Sequence, residues 1–168
     1  MGIYLNPPAD GFEDILKDGF YVDKTRLITY TNQVMGTSRK LTCFSRPRRF
    51  GKSYAAQMLV AFYSKGADSR HLFENMKVAS PPEETKEQEL AVYRQHRNQW
   101  DVLFWDMTWF ISNAERMEDT SPNLQSGILE ELKKEFPDCI QRDRIPLPEA
   151  LLNISARTGR KFYIIIDE

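Results

Sequence analysis

The chain has 168 residues, of which 41% are hydrophobic and 28% are charged, and its formal net charge is -1. That length suits about one domain, and the apolar content excludes a disordered chain. The near-neutral charge gives no overall attraction to nucleic acid or to an anionic membrane.

The N-terminus has neither the basic nor the apolar segment of a signal peptide, and no apolar run approaches the roughly 18 residues of a membrane span. The two cysteines, Cys43 and Cys139, are far apart in the sequence. Cys43 lies in an apolar run and is predicted to be a small buried hydrophobic residue. We therefore expect a reducing, cytoplasmic compartment and no membrane partner.

Two short helices are predicted in residues 1–38, which we interpret as an N-terminal helical segment. The first has Phe12 and Ile15 on one apolar face and ends at Gly19. The second starts near Asp23, a suitable N-cap, and ends at the next glycine.

Strands and helices alternate along the rest of the chain. Apolar runs predict strands at residues 40–44, 101–108 and 161–168. Apolar spacing, prolines and glycines predict helices at residues 51–65, within 69–80, in the polar block 81–99, from Ser121 onward, and from Pro148 to Gly159. This alternation is typical of an α/β fold around a mostly parallel sheet.

The segment FSRPRRFGKS, residues 44–53, ends like a phosphate-binding loop. Such a loop needs backbone N–H groups and a helix N-terminus that face the phosphates, and a lysine that reaches their oxygens. Gly51, Lys52 and Ser53 fall where a predicted strand passes into a predicted helix, which is the expected context. Gly51 and Lys52 are therefore predicted to bind the phosphates of ATP, and the Ser53 hydroxyl to bind Mg²⁺ as well.

The loop is unusual because Arg46 stands where the pattern G-x-x-x-x-G-K-[ST] has its first glycine. That glycine permits backbone geometry that a side chain disfavours, and Pro47 can stiffen the turn instead. Arg46, Arg48 and Arg49 belong to a basic run without any acid between residues 39 and 53. They are candidate contacts to a triphosphate or to a nucleic-acid backbone. Solvated charges, or ion pairs to nearby acids, are the alternatives.

The last strand, YIIIDE, ends in Asp167 and Glu168. In a P-loop ATPase, an aspartate at the end of a second apolar strand orients the hydration shell of Mg²⁺, and a glutamate after it polarises the attacking water. Asp167 is therefore a candidate metal ligand and Glu168 a candidate catalytic base. Many buried strands end in an acid, so this assignment depends on the phosphate loop upstream.

Glu168 is also the final residue of the sequence. ATPases with an Asp-Glu pair usually place a later strand between the loop strand and the Asp-Glu strand. A sheet without that strand leaves backbone groups and apolar surface unpaired. We therefore expect residues 39–168 to be the front part of a P-loop ATPase domain. Its fold would be a P-loop NTPase-type three-layer αβα arrangement with a mostly parallel sheet, incomplete at the C-terminus until a longer chain, a partner or a neighbouring copy completes it.

Four segments together resemble the bacterial AAA-ATPase-like family: YVDKTRLI, FSRPRRFGKS, the strand that ends in WDMT, and YIIIDE. The arginine-rich loop is the most specific, since a generic phosphate loop lacks Arg-Pro-Arg-Arg-Phe. Members of this family are predicted P-loop ATPases that often carry a PD-(D/E)XK nuclease-like domain. The resemblance implies ATP and Mg²⁺ as cofactors, Lys52 and Ser53 as their ligands, and Asp167 and Glu168 as the metal-orienting acid and the base. It also implies that the absence of the first glycine is the norm in the family, so Arg46 is not a sign of a decayed loop.

For two segments, the sequence allows either a structural or a functional role. YVDKT forms a turn in which Asp23 caps a helix, or it covers the nucleotide with Asp23 or Lys24 facing the loop. Asp106 and Thr108 end the middle strand, at the edge where parallel sheets place their sites. They either belong to the site or cap the next helix.

The leading hypothesis is an ATP-binding, Mg²⁺-dependent P-loop ATPase module that hydrolyses ATP in the intact protein. The alternative is a nucleic-acid-binding or defence-related module whose loop supports assembly rather than turnover. A third is a structural remnant that binds no nucleotide. The expected partners are a nucleotide and a missing C-terminal region or nuclease-like domain, and self-association and nucleic-acid binding stay open.

Overall fold

The computed structural model describes residues 2–47, 49–66, 68–113, 117–142 and 144–167. The helices in these ranges are α1 (Asp10–Lys17), α2 (Arg26–Val34), α3 (Lys52–Tyr63), α4 (Arg70–Phe73), α5 (Lys86–His96), α6 (Met107–Asn113), α7 (Met117–Glu135) and α8 (Leu147–Thr158). The strands are β1 (Asp101–Asp106) and β2 (Phe162–Asp167), and a 3₁₀ turn covers Lys77–Ala79. No helix within the described ranges is long and apolar enough to cross a membrane.

The predicted helices are confirmed, with shifts at their ends. The second begins at Arg26 with Thr25 as its N-cap residue, so the prediction that Asp23 caps it is wrong. α1 buries Phe12 and Ile15, and Gly19 after it has a left-handed φ of 72°. α5 begins a few residues after the prolines that were expected to open it. α7 begins before Ser121, so Pro122 lies inside the helix rather than at its first position.

The two strands form a small parallel sheet in the described part of the chain. The outer edge of β1 is covered by the N-terminal segment. There the carbonyl of Tyr4 accepts the N–H of Phe104 at 2.9 Å, and the N–H of Asn6 donates to the carbonyl of Val102 at 2.8 Å. The outer edge of β2 has no strand partner among the described residues.

The prediction of a strand at residues 40–44 is wrong. These residues have no regular secondary structure and all of them are exposed, with Leu41 90% and Phe44 41% exposed. A strand is stable only when its backbone groups pair with a neighbour, and no described residue supplies that neighbour here. The interpretation of Cys43 as a buried hydrophobic residue is wrong for the same reason, because its thiol is exposed.

Helices pack against both faces of the sheet because successive strand side chains point to opposite faces. Val102 and Ile165 belong to one hydrophobic cluster, which they share with residues of α1, α2 and α3. Leu103 belongs to a second cluster, formed with residues of α7 and α8. The result is a mixed α/β arrangement, in which the two N-terminal helices share a core with α3.

Candidate functional site

The helix α3 packs on the sheet, with Met58 and Leu59 in the hydrophobic cluster that contains Val102 and Ile165. Its C-terminal end is held at the start of β1, where the carbonyls of Phe62 and Tyr63 accept the N–H groups of Asn98 and Trp100 at 2.8 and 3.0 Å. The Tyr63 ring also stacks on Tyr163, near the start of β2, with ring centroids 4.3 Å apart. The helix is about 18 Å long and β1 about 20 Å. The N-terminus of α3 therefore lies toward the carboxyl edge of the sheet.

The phosphate-loop segment gives α3 an N-terminus without a side-chain cap. Gly51 is the N-cap residue, and its φ of 71° is left-handed, a conformation that glycine adopts without strain. The N–H groups of a helix's first turn have no intrahelical partner, and no side chain of the described residues caps them here. Lys52 is half-buried and Ser53 is exposed. Such a terminus carries partial positive charge and is suited to bind an anion.

Two of the three loop arginines are described, and both are exposed. Arg49 has a φ of 66°, which costs a residue with a side chain about 1–2 kcal/mol. No carboxylate in the described ranges pairs with Arg46 or Arg49, so the ion pairs considered as an alternative are not seen for these two. Arg48 lies outside the described residues.

The carboxyl ends of the two strands bring two aspartates together. Asp106 and Asp167 are direct partners in the parallel register, on strands about 4.8 Å apart, and both are half-buried. Asp106 accepts the backbone N–H of Trp109 at 3.0 Å through Oδ1 and so caps α6, while Thr108 is exposed within that helix. Glu168 lies outside the described residues. Within the described ranges, no group of three or more His, Cys, Asp or Glu side chains could hold a metal by itself.

Comparison with known proteins identifies the family to which the chain belongs. A family model described as "Predicted AAA-ATPase" matches residues 9–168, from the N-terminal helices to the end of β2. The chain belongs to the AAA-ATPase-like family. The match confirms the resemblance of the four segments, and it supports nucleotide binding in general; it does not bear on a nuclease-like domain. No curated protein and no solved structure matches the chain.

In this AAA-ATPase-like chain, the YVDKT segment reaches the loop through Lys24. Its ammonium donates to the carbonyl of Phe50 at 2.7 Å and lies 3.1 Å from the position of a Cβ on Gly51. Asp23 turns elsewhere, because its carboxylate accepts the backbone N–H groups of Thr25 and Lys77, both at 2.8 Å. Burial acts to raise the pKa of Asp23, but the hydrogen bonds from Thr25 and Lys77 outweigh it, and the pKa lies below its usual value.

The sequence left Asp23 and Lys24 as equal candidates for a contact to the loop of the AAA-ATPase-like chain. Lys24 and Phe50 are 26 positions apart, and no spacing rule links them. Packing decides between them: the Asp23 carboxylate accepts the backbone N–H groups of Thr25 and Lys77, whereas the Lys24 ammonium contacts the loop.

Proposed function

We propose that this AAA-ATPase-like chain is an ATP-binding P-loop ATPase module, which binds nucleotide with Mg²⁺ and takes part in hydrolysis in the intact protein. The direction of α3 carries the proposal. We infer this from the C-terminal end of α3, which lies at the start of β1. A helix about as long as the strand then has its N-terminal turn of Gly51, Lys52 and Ser53 toward the edge where β1 and β2 end. Phosphates bound at the helix N-terminus would then lie on the side of the sheet where the strand-end acids are.

The residues of this edge suit a magnesium nucleotide. The Lys52 ammonium and the first N–H groups of α3 would bind phosphate oxygens. The Ser53 hydroxyl and the Asp167 carboxylate supply oxygen ligands, directly or through water. Mg²⁺ is usually held by one or two such groups together with substrate phosphates rather than by a dedicated cage of side chains. When bound, it neutralises charge that develops on the phosphates. Glu168 is the candidate base because it directly follows Asp167 in the sequence and because the family resemblance implies that role.

Exposed cations favour a second candidate, which is binding of nucleic acid. Arg39, Lys40, Arg46 and Arg49 are all exposed, and no carboxylate of the described residues pairs with any of them. Cations of this kind bind a nucleic-acid backbone as readily as a triphosphate. Binding of DNA that weakens steeply with salt and does not respond to ATP would favour this candidate over the first.

Calorimetric titration of ATP, with and without Mg²⁺, tests the ATPase proposal. Loss of a charge-assisted contact costs about 1.5–3 kcal/mol, so Lys52→Ala should bind ATP at least about tenfold more weakly than the wild type. Asp167→Asn should lose the gain in affinity that Mg²⁺ gives, because its amide is a poorer metal ligand.

Lys86→Ala is the matched control for these variants. Lys86 lies on α5, where it pairs with Glu83 at 2.7 Å, and its removal should leave ATP affinity unchanged. A wild-type chain that binds no ATP in either condition would contradict the proposal, and so would a Lys52→Ala variant that binds like the control.

A further inference from the structure

We infer that Lys24 is a second phosphate-binding lysine of the nucleotide site, supplied by the N-terminal segment rather than by the loop. The inference rests on the proposed nucleotide function. It adds to that site a ligand residue that the phosphate-loop pattern does not contain.

The first observation is the place of the Lys24 ammonium. It lies beside the N-cap of α3, 3.1 Å from the point where a side chain on Gly51 would begin. Glycine at position 51 therefore has two effects: it adopts the left-handed φ of 71° without strain, and its missing side chain leaves room for the Lys24 ammonium. An anion bound at the N-terminus of α3 would meet this ammonium next to the loop backbone.

The second observation is the number of donors that Lys24 keeps. An ammonium group has three N–H donors, and the structure assigns one of them to the carbonyl of Phe50. In the part of the chain that the structure describes, no carboxylate pairs with Lys24. Two donors therefore remain for phosphate oxygens, and the bond to Phe50 need not break when they are used.

The third observation is that the backbone around this exposed side chain is held firmly. The N–H of Lys24 donates to the Tyr21 hydroxyl at 3.3 Å, and that hydroxyl donates to Sδ of Met58 on α3 at 3.3 Å. On the other side, the fully buried Thr25 accepts the N–H of Val78 at 3.0 Å. The segment is therefore fixed to α3, and it presents a single charge at a defined place beside the loop.

A purely structural role is the competing explanation, in which Lys24 only shapes the loop through the Phe50 carbonyl. Ionic strength separates the two roles. Attraction between an exposed ammonium and a phosphate is screened by salt, so loss of a direct contact makes ATP affinity less dependent on salt. Loss of a bond that only holds the backbone leaves the salt dependence as it was.

The experiment measures ATP affinity over a range of NaCl concentrations for the wild type, Lys24→Met, Lys24→Arg and the control Lys86→Ala. Lys24→Met keeps the length of the side chain and removes its charge. We expect it to bind ATP about tenfold more weakly at low salt and to show a shallower salt dependence. Its unfolding in urea should match the wild type. Lys24→Arg, which keeps the charge, should recover most of the affinity.

Two results would overturn the inference: wild-type ATP affinity in Lys24→Met, or weaker affinity with an unchanged salt dependence, which would assign Lys24 a loop-shaping role. The proposed function is tested separately by the wild type and Lys52→Ala. If those two behave as expected and Lys24→Met binds normally, only the inference about Lys24 fails. If the wild type binds no ATP, both the proposed function and the inference about Lys24 are refuted.

Discussion

Two left-handed glycines allow a sharp test of the geometry at the start of α3. Gly51 precedes α3 with a φ of 71°, and Gly159 ends α8 with a φ of 70°. Alanine at either position meets a backbone strain of about 1–2 kcal/mol, offset by about 0.4–1 kcal/mol because alanine restricts the unfolded chain. Each variant should therefore lose about 1 kcal/mol of unfolding free energy. That loss corresponds to a fall in Tm of about 2–4 °C for a chain of this size.

The two positions differ in what a new Cβ would meet. At Gly51 it would lie 3.1 Å from the Lys24 ammonium, whereas at Gly159 nothing lies within 4 Å. Because the neighbour at Gly51 is the end of a flexible side chain, Gly51→Ala should displace Lys24 at little extra cost in stability. We therefore expect weaker ATP binding in Gly51→Ala and unchanged ATP binding in Gly159→Ala.

Both variants can be measured by urea unfolding, followed through tryptophan fluorescence, and by ATP titration of the same samples. The comparison removes the shared backbone strain and leaves the effect of the contact with Lys24. Wild-type ATP affinity in Gly51→Ala would refute the reasoning about the loop. If Gly51→Ala lost several kcal/mol more unfolding free energy than Gly159→Ala, the Lys24 side chain would not be moving away from the new Cβ.

Two further predictions concern residues that hold the sheet and α3 together. Asp101 is 1% exposed and pairs with Lys65 at 3.1 Å and Arg160 at 3.6 Å, so Asp101→Asn should lower the free energy of unfolding in urea by about 1.5–3 kcal/mol. A loss no larger than the about 0.2–1 kcal/mol of an exposed pair would contradict this. Burial raises the pKa of Tyr63 well above its ordinary value of 10.0; the unfolded chain therefore ionises first, and stability should fall as the pH rises above about 10. Tyr63→Phe should reduce that fall in unfolding experiments at alkaline pH, and an equally steep fall in the variant would count against the assignment.

Local signals located most of the helices, because the forces that start and end a helix act over a few residues; they missed α6, whose first residues, Met107 and Thr108, were predicted to be in a strand. The apolar face of Phe12 and Ile15 and the stop at Gly19 were readable in the sequence, as was the helix that follows Gly51. The strand at residues 40–44 failed because a strand depends on a partner that can be remote in sequence. The apolar run at the end of the chain does form the strand β2, because its partner β1 is present.

Some residues of the candidate site could likewise be predicted from local sequence, and others could not. Lys52 and Ser53 follow from a short motif, and Asp167 from the end of an apolar strand. The position of Asp106 beside Asp167 depends on the register of the parallel pair, which local sequence does not determine. The contact between Lys24 and the loop depends on how Tyr21 packs on α3, so no local pattern predicts it.

The outer edge of β2 has a practical consequence for work with the purified protein. Within the described residues that edge has no strand partner, and Ile164 and Ile166 on the strand are 44% and 54% exposed. Edges of this kind recruit strands from other molecules, and short apolar segments without proline are the ones that stack into fibrils. Turbidity and loss of sample on concentration are therefore to be expected, and titrations and unfolding experiments are best performed on dilute, freshly prepared protein.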